Sequence, residues 1–162
     1  MSRLDSFIRR MLAQRECLNW AAGAVAGICG PVLELGLGNG RTYDHLRELL
    51  PERQIYVFER QLRAHAMSVP PENFLFLGDI EHTLISAAAR LPAKAALVHN
   101  DLGTSDAKAY EALASRIGVQ LVKLMAQDGI IVSNVILRVS GLISLDTPPG
   151  VKPGRYFIYR VS

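Results

Sequence analysis

An acidic residue, Glu34, is followed by glycines at three alternate positions, Gly36, Gly38 and Gly40, directly behind the apolar run that opens at Val32. Glycine has no Cβ, so a turn through Gly36, Leu37, Gly38, Asn39 and Gly40 can take positive φ and bring backbone N–H groups against a nucleotide. Three more sets of polar residues end apolar runs: Glu59 after 55–58, Gly78, Asp79 and Ile80 after 74–77, and His99, Asn100 and Asp101 after 95–98. Glu59 lies about twenty residues past the glycine turn, where nucleotide-binding α/β sheets place a carboxylate for the ribose hydroxyls. An imidazole ionises near neutrality, so His99 is a candidate general base for a hydroxyl or amine; the alternative is a histidine turned into the helix layer and bonded to backbone. Asp101 is the better candidate for contact with an acceptor. For Asp79 the competing role is a helix N-cap ahead of Glu81, and both roles can coexist.

These groups meet only if the chain brings the ends of several strands to one rim. Residues 32–35, 54–59, 74–77, 95–100 and 130–133 read as strands. Helical spacing runs from Arg41, with Tyr43, Leu46, Leu49 and Leu50 on one side and Pro51 as its stop. A short helix at 62–67 ends before Pro70, another spans 81–90, and a long one runs from a cap at Ser105 or Asp106 to Met125. A turn at 127–129 leads into the fifth strand. At the start, Leu4, Phe7, Ile8, Met11, Leu12 and Leu18 recur at helical spacing behind a cap at Asp5 or Ser6, and Gly30 and Pro31 close that segment. Strands alternating with helices predict an α/β fold, a Rossmann-like doubly wound sheet, mostly parallel and covered on both faces. After Val135 the chain is too β-rich for another helix. Residues 139–145 and 156–161 read instead as an antiparallel C-terminal strand pair, and the missing helix suggests a less covered face open to self-association as a homo-oligomer.

From about Val32 to Val135 the chain resembles the class I S-adenosylmethionine-dependent methyltransferases, and more narrowly a group of short bacterial members of unassigned substrate. Its acidic residue and glycine turn match Glu34, Gly36, Gly38 and Gly40; the acidic end of its second strand matches Glu59; the Asp after its third strand matches Asp79; and its fourth strand matches residues 95–101. The resemblance implies S-adenosyl-L-methionine as cofactor, S-adenosyl-L-homocysteine as product and a methyl group passed in line to an acceptor. It implies that residues 36–40 hold the methionine part and Glu59 the ribose. Asp79 then accepts from the adenine amino group, with Ile80 and Arg60 or Gln61 against the ring. It also implies that the backbone carbonyl of Asn100 meets the cofactor amino group. Glu34 orders the loop. Residues 1–30 form a helical segment over the cleft, where Trp20 and Tyr43 help to enclose the sulfonium or the substrate; otherwise Trp20 simply packs the helix on the sheet.

Asp101 with Asn134 also resembles part of the site of magnesium-dependent catechol-type methyltransferases. The pair here is Ser133 and Asn134, which lacks one hard carboxylate ligand, so no metal is expected and Asn134 is assigned to the acceptor side. The Asn-Pro-Pro-Tyr signature of DNA and protein amide methyltransferases is absent. An NAD(P)-dependent oxidoreductase is disfavoured because Arg41 follows Gly40 and the third glycine of Gly-x-Gly-x-x-Gly is missing. A non-catalytic cofactor-binding scaffold remains as the alternative from another class.

The 162 residues suit one domain, with half of them hydrophobic and a fifth charged. The net charge of +3 comes from arginines scattered along the chain with no stripe for a nucleic-acid backbone, so a small-molecule acceptor is expected. No apolar run reaches membrane-span length, and the Arg-rich start has no continuous apolar core of a secretory signal. Cys17 and Cys29 read as two buried free thiols, and the protein as cytoplasmic.

Overall fold

The computed structural model describes residues 2–103 and 106–162. Its strands, in chain order, are β1 (Val32–Leu35), β2 (Ile55–Glu59), β3 (Leu75–Leu77), β4 (Ala95–Asn100), β5 (Met125–Ser133), β6 (Leu142–Leu145) and β7 (Phe157–Val161). Its helices are α1 (Arg3–Ala24), α2 (Arg41–Leu49), α3 (Ile80–Arg90) and α4 (Ala107–Leu124). The strands form one sheet in the order β3-β2-β1-β4-β5-β7-β6. The first five are parallel, whereas β7 runs antiparallel to both β5 and β6. From β1 the chain winds outward through β2 and β3, then returns to place β4 on the other side of β1. That reversal opens a crevice at the strand ends, the usual ligand position of such sheets.

Alternation along the strands divides the core. Leu33, Leu35, Phe58, Phe76, Val98 and Ile131 pack with Leu84, Ala87, Ile117 and Leu121 of α3 and α4. Val32, Val57, Leu97 and Val132 pack with Cys17, Leu18, Ala21, Tyr43 and Leu46 of α1 and α2. Glu34 shares the second face and pairs in register with His99, so two polar side chains stand side by side in an apolar layer. In parallel neighbours about 4.8 Å apart, that register all but dictates contact.

Helix α1 is capped by Ser2 rather than by Asp5 or Ser6: Asp5 N–H donates to Ser2 Oγ at 3.0 Å, and Ser2 N–H to Asp5 Oδ2 at 3.0 Å. Its buried side is Ala13, Gln14, Cys17, Leu18, Ala21 and Ala22, while Leu4, Phe7, Ile8 and Leu12 are exposed. The reason is extent. The residues of α1 that pack in the core layer begin at Ala13, and the turns before it stay outside that layer. At the far end Arg53 donates to the carbonyls of Val25, Ile28 and Gly30 at 2.6, 2.8 and 2.9 Å, taking up helix-end acceptors that α1 cannot satisfy itself. Cys29, in the turn after α1, is exposed and departs from the expected pair of buried thiols; burial pushes the Cys17 thiol up to about 11, with Glu16 adding to it.

Three further details differ from the sequence pattern. Residues 62–67 form no α-helix: a single 3-10 turn at Ala66–Ser68 is all that fits before the prolines. The turn at 127–129 is absorbed as a bulge, since Ala95 pairs with Met125 but Leu97 with Ile130, and Asp128 takes a φ of 62°. The less covered face is not found either. Tyr159 and Val161 pack on the α4 side, Tyr156 and Ile158 on the α1 side, and the segment after β5 lies across α4 in place of a helix. Gly118 permits this, because a Cβ there would stand 2.6 Å from Val139 Cγ2, and Leu137 N–H donates to Tyr159 Oη at 2.9 Å. The motive for self-association through that face falls away.

Candidate functional site

A cleft of about 790 Å³ opens over the carboxyl ends of β1, β2 and β4. The glycine turn forms its floor through Gly36, Leu37, Gly38 and Asn39; Glu59, Arg60 and Gln61 line the β2 side, and Gly78, Asp79 and Ile80 the β3 side. Asp101, Leu102 and Gly103 continue from β4, and Arg10, Met11 and Gln14 of α1 close the remaining side. Its size lies in the upper part of the roughly 300–1,000 Å³ range of small-ligand sites.

Glu59 holds the turn in shape. Oε2 accepts from Leu37 N–H at 2.9 Å and Gly38 N–H at 3.0 Å, and Oε1 from Arg60 N–H at 2.7 Å and Gln61 N–H at 3.2 Å. Gly38 has a φ of 53° and nothing within 4 Å of a Cβ placed on it, so the turn leaves open space above it while its Leu37 and Gly38 N–H groups face Glu59. Gly40 behaves differently. It starts α2 with a φ of 83°, lines no part of the cleft, and would drive a Cβ to 2.4 Å from Ser68 Cβ. Ser68 Oγ in turn donates to Asp44 Oδ2 at 2.6 Å, which locks α2 to the chain after β2.

Behind the cleft runs a buried polar chain. Thr42 Oγ1 donates to Glu34 Oε1, and His99 Nδ1 stands 2.8 Å from Glu34 Oε2 with neither side chain exposed. The Gln14 amide nitrogen donates to Asp101 Oδ2 at 2.8 Å and lies 3.3 Å from His99 Nε2. His99 is thus held at both ring nitrogens, Nδ1 by Glu34 and Nε2 by Gln14. Burial disfavours the charged ring, but the charge of Glu34 and its hydrogen bond, helped by Asp101, outweigh that and raise the His99 pKa above its ordinary value. Asp101 Oδ1 accepts from Asn134 Nδ2 at 2.7 Å and from Tyr156 Oη at 3.4 Å. Asn134 is fixed by Tyr110 Oη, which donates to its Oδ1 at 2.5 Å. Burial, reinforced by the charge of Asp101, pushes both the Tyr110 and Tyr156 phenols upward, so they remain donors.

Several expected site residues lie elsewhere. His99 is fully buried and does not line the cleft, since both ring nitrogens face partners inside the protein. Glu34 is likewise fully buried, consistent with ordering the turn. Asn100 also stays out of the lining: its carbonyl, expected to meet the cofactor, accepts from Asn134 N–H at 3.0 Å, and its Nδ2 donates to Ser133 Oγ at 3.0 Å. Asn134 reaches Asp101 and not the open space. Tyr43 packs in the α1 and α2 core layer beneath Arg47, and Trp20 is partly exposed on α1 beyond the last turn that meets the cleft. Six residues along α1 separate it from Gln14, and it does not line the cleft. Asp79 lines the cleft and also caps α3, accepting from Glu81 N–H at 3.0 Å, so its two expected positions coincide.

Sequence reasoning missed Gln14, Arg10, Arg41, Arg63 and Thr42. For Gln14 there was a signal, a lone amide in the helical row continued by Cys17, Leu18 and Ala21. For the arginines there was none, because residues so far apart along the chain share no pattern.

A model of the S-adenosyl-L-methionine methyltransferase family matches residues 1–161. Among solved structures, the S-adenosyl-L-methionine methyl transferase from Silicibacter pomeroyi DSS-3 is 48% identical with a TM-score of 0.93, covering 100% of this chain and 99% of its own. Cofactor-bound Rv0187 from MTB is 16% identical with a TM-score of 0.63, over 98% of this chain and 88% of that one. The N-methyltransferase NodS from Bradyrhizobium japonicum WM9 is 12% identical with a TM-score of 0.58, over 99% of this chain and 98% of its own. These last two share the fold. No curated protein matches the chain.

Proposed function

The chain belongs to the S-adenosyl-L-methionine methyltransferase family, and from that premise we propose that it methylates a small-molecule acceptor held between the glycine turn and α1, beside Asp101. The cofactor supplies an electrophilic methyl group on a sulfonium, open to in-line displacement by the acceptor atom. The turn suits that cofactor. Gly38 leaves open space over the turn, and Glu59 stands at the same wall, where ribose hydroxyls would exchange for the Leu37 and Gly38 N–H groups on its Oε2. Gly36, Leu37, Gly38 and Asn39 would hold the methionine part, with Asp79, Ile80, Arg60 and Gln61 around the base.

Asp101 carries the reading. A carboxylate offers about four lone-pair positions, and Gln14, Asn134 and Tyr156 occupy three of those on Asp101. The position left on Oδ2 takes the acceptor hydrogen, and takes the proton itself as the new bond to the methyl carbon forms. Burial of His99 argues against a direct role as base, and we assign it to positioning Asp101 through Gln14. The whole chain acts as one unit, with α1 as the wall over the acceptor. No helix among the described residues is long and apolar enough to cross a membrane; we place the protein in the cytosol.

The test is a transfer assay with methyl-labelled S-adenosyl-L-methionine and a size-fractionated metabolite extract. Label should pass to a low-mass fraction with the parent protein and not with Asp101→Asn. Cofactor binding without transfer to any fraction would favour a non-catalytic binding module instead.

A further inference from the structure

The charged side chains lining the cleft fall into two unequal groups. Its carboxylates are occupied within the protein: Glu59 by four backbone N–H groups, Asp79 by the start of α3, and Asp101 by Gln14, Asn134 and Tyr156. Its cations are not. Arg10, Arg41, Arg60 and Arg63 all line the cleft, and none makes an ion pair among the described residues. Arg63 donates only to Gln61 Oε1, at 3.1 Å, and Arg10 lies 6.0 Å from the Phe7 ring. Hydrogen bonding leaves the carboxylate charges in place, so the four guanidiniums, one more than the carboxylates, give the cleft a small surplus of positive charge that favours anionic ligands. The cofactor's own sulfonium and ammonium outnumber its single carboxylate, so a loaded cleft is more positive still.

The four guanidiniums are not equivalent. Arg41 follows the glycine turn and Arg60 and Arg63 follow β2, beside the walls assigned to the cofactor. Arg10 stands on α1, one helical turn before Gln14, and residues four apart share a face. Gln14 is bonded to Asp101, and the charge of Arg10 is felt at the Tyr156 hydroxyl, itself 3.4 Å from Asp101. Arg10 is therefore the cation on the acceptor side. Resting on the methyltransferase reading above, we propose that the acceptor is a small oxyanion, a carboxylate or phosphate compound, whose charged group is clamped by Arg10 while its nucleophilic atom faces Asp101. The guanidinium fork matches such a group in two-point geometry, which would fix the acceptor's direction as well as its affinity.

The test is calorimetric titration of the full chain, saturated with S-adenosyl-L-homocysteine, with inorganic phosphate and separately with succinate. Saturable binding of either probe is expected, and the probe that binds identifies the kind of oxyanion. Arg10→Gln should weaken it by about tenfold or more while leaving affinity for the homocysteine product as it was; Arg10→Lys should retain part of the binding. Arg9→Gln, at an exposed neighbour outside the cleft, controls for net charge and should change nothing. Failure of both probes to bind, equal losses in Arg9→Gln and Arg10→Gln, or loss of the product instead of the oxyanion in Arg10→Gln would overturn the inference. Failure of the parent protein to bind S-adenosyl-L-homocysteine at all would instead count against the methyltransferase reading.

Discussion

Glu34 and His99 occupy paired positions of β1 and β4, and their carboxylate and imidazole meet at 2.8 Å with no exposure of either side chain. Each is the other's ion-pair partner, so loss of one leaves the second in an apolar layer, Glu34 with Thr42 or His99 with Gln14 and the charge of Asp101. Glu34→Ala is expected to lower unfolding free energy by about 3–5 kcal/mol, the cost of breaking a buried pair. Urea unfolding measures it. The double variant with His99→Ala should lose less than the sum of the two single changes.

The raised pKa of His99 fixes the sign of a pH dependence. The native protein holds a proton that the unfolded chain has begun to release at about pH 6.5. The group's contribution to stability is thus full below that pH and fades as pH rises through the higher native pKa. The difference in urea midpoint between the parent and His99→Gln should shrink as pH rises above about 6.5. A difference that grows over that window contradicts the assignment.

Two glycines of one turn should fail in different ways. Gly38→Arg puts a long side chain into open cleft space from a φ of 53° and should abolish binding of S-adenosyl-L-homocysteine, with a stability cost of about 1 kcal/mol from the left-handed backbone alone. Gly40→Ala forces a Cβ onto Ser68 from a φ of 83° and should destabilise the fold by about 1–3 kcal/mol. Calorimetry and thermal melting together separate the two effects.

Glu59→Ala removes the acceptor for four backbone N–H groups as well as the carboxylate proposed to meet the ribose. Product affinity should fall by about 1–3 kcal/mol. Titration of the parent and the variant under one buffer is sufficient. Unchanged affinity would remove Glu59 from the cofactor site.

Asp101→Asn keeps the shape of the side chain but loses the proton acceptor. Once a methylated fraction is in hand, its turnover should drop by about 10²- to 10⁴-fold, with product binding within about twofold of the parent. Tyr156→Phe, which removes the longest of the three bonds to Asp101, should cost much less.

The parallel sheet was legible because buried strands are written as short apolar runs, each ending in the polar residue that then appears at the rim: Glu59, Asp79 and Asp101 all line the cleft. The side of the rim at which His99 stops was not legible. Strand alternation puts it on the α1 face, but only the position of Gln14 closes it off from solvent. Trp20 and Tyr43 were misplaced because an aromatic beside a cofactor and one in a core look alike in a linear sequence. The arginine-lined cleft was hidden for a related reason: Arg10, Arg41, Arg60 and Arg63 look dispersed until the β1 and β2 crossovers bring them to one opening. The helix missing after β5 was read correctly, whereas the bare face inferred from it was not, since Gly118 lets extended chain lie where a helix would have been.

Arg53 clamps the tail of α1, and Gln14 ties its middle, so the helix is a beam anchored at root and midspan with a free leading end. Arg10 and Met11, ahead of Gln14, line the opening yet lie outside the buried apolar core. With the acceptor placed there as proposed, its selectivity can drift without endangering the scaffold. Replacing Leu4 or Ile8 by a polar residue should move unfolding free energy by no more than about 0.5 kcal/mol, and the same latitude at Arg10 would be open to selection whenever a relative needs a different guest.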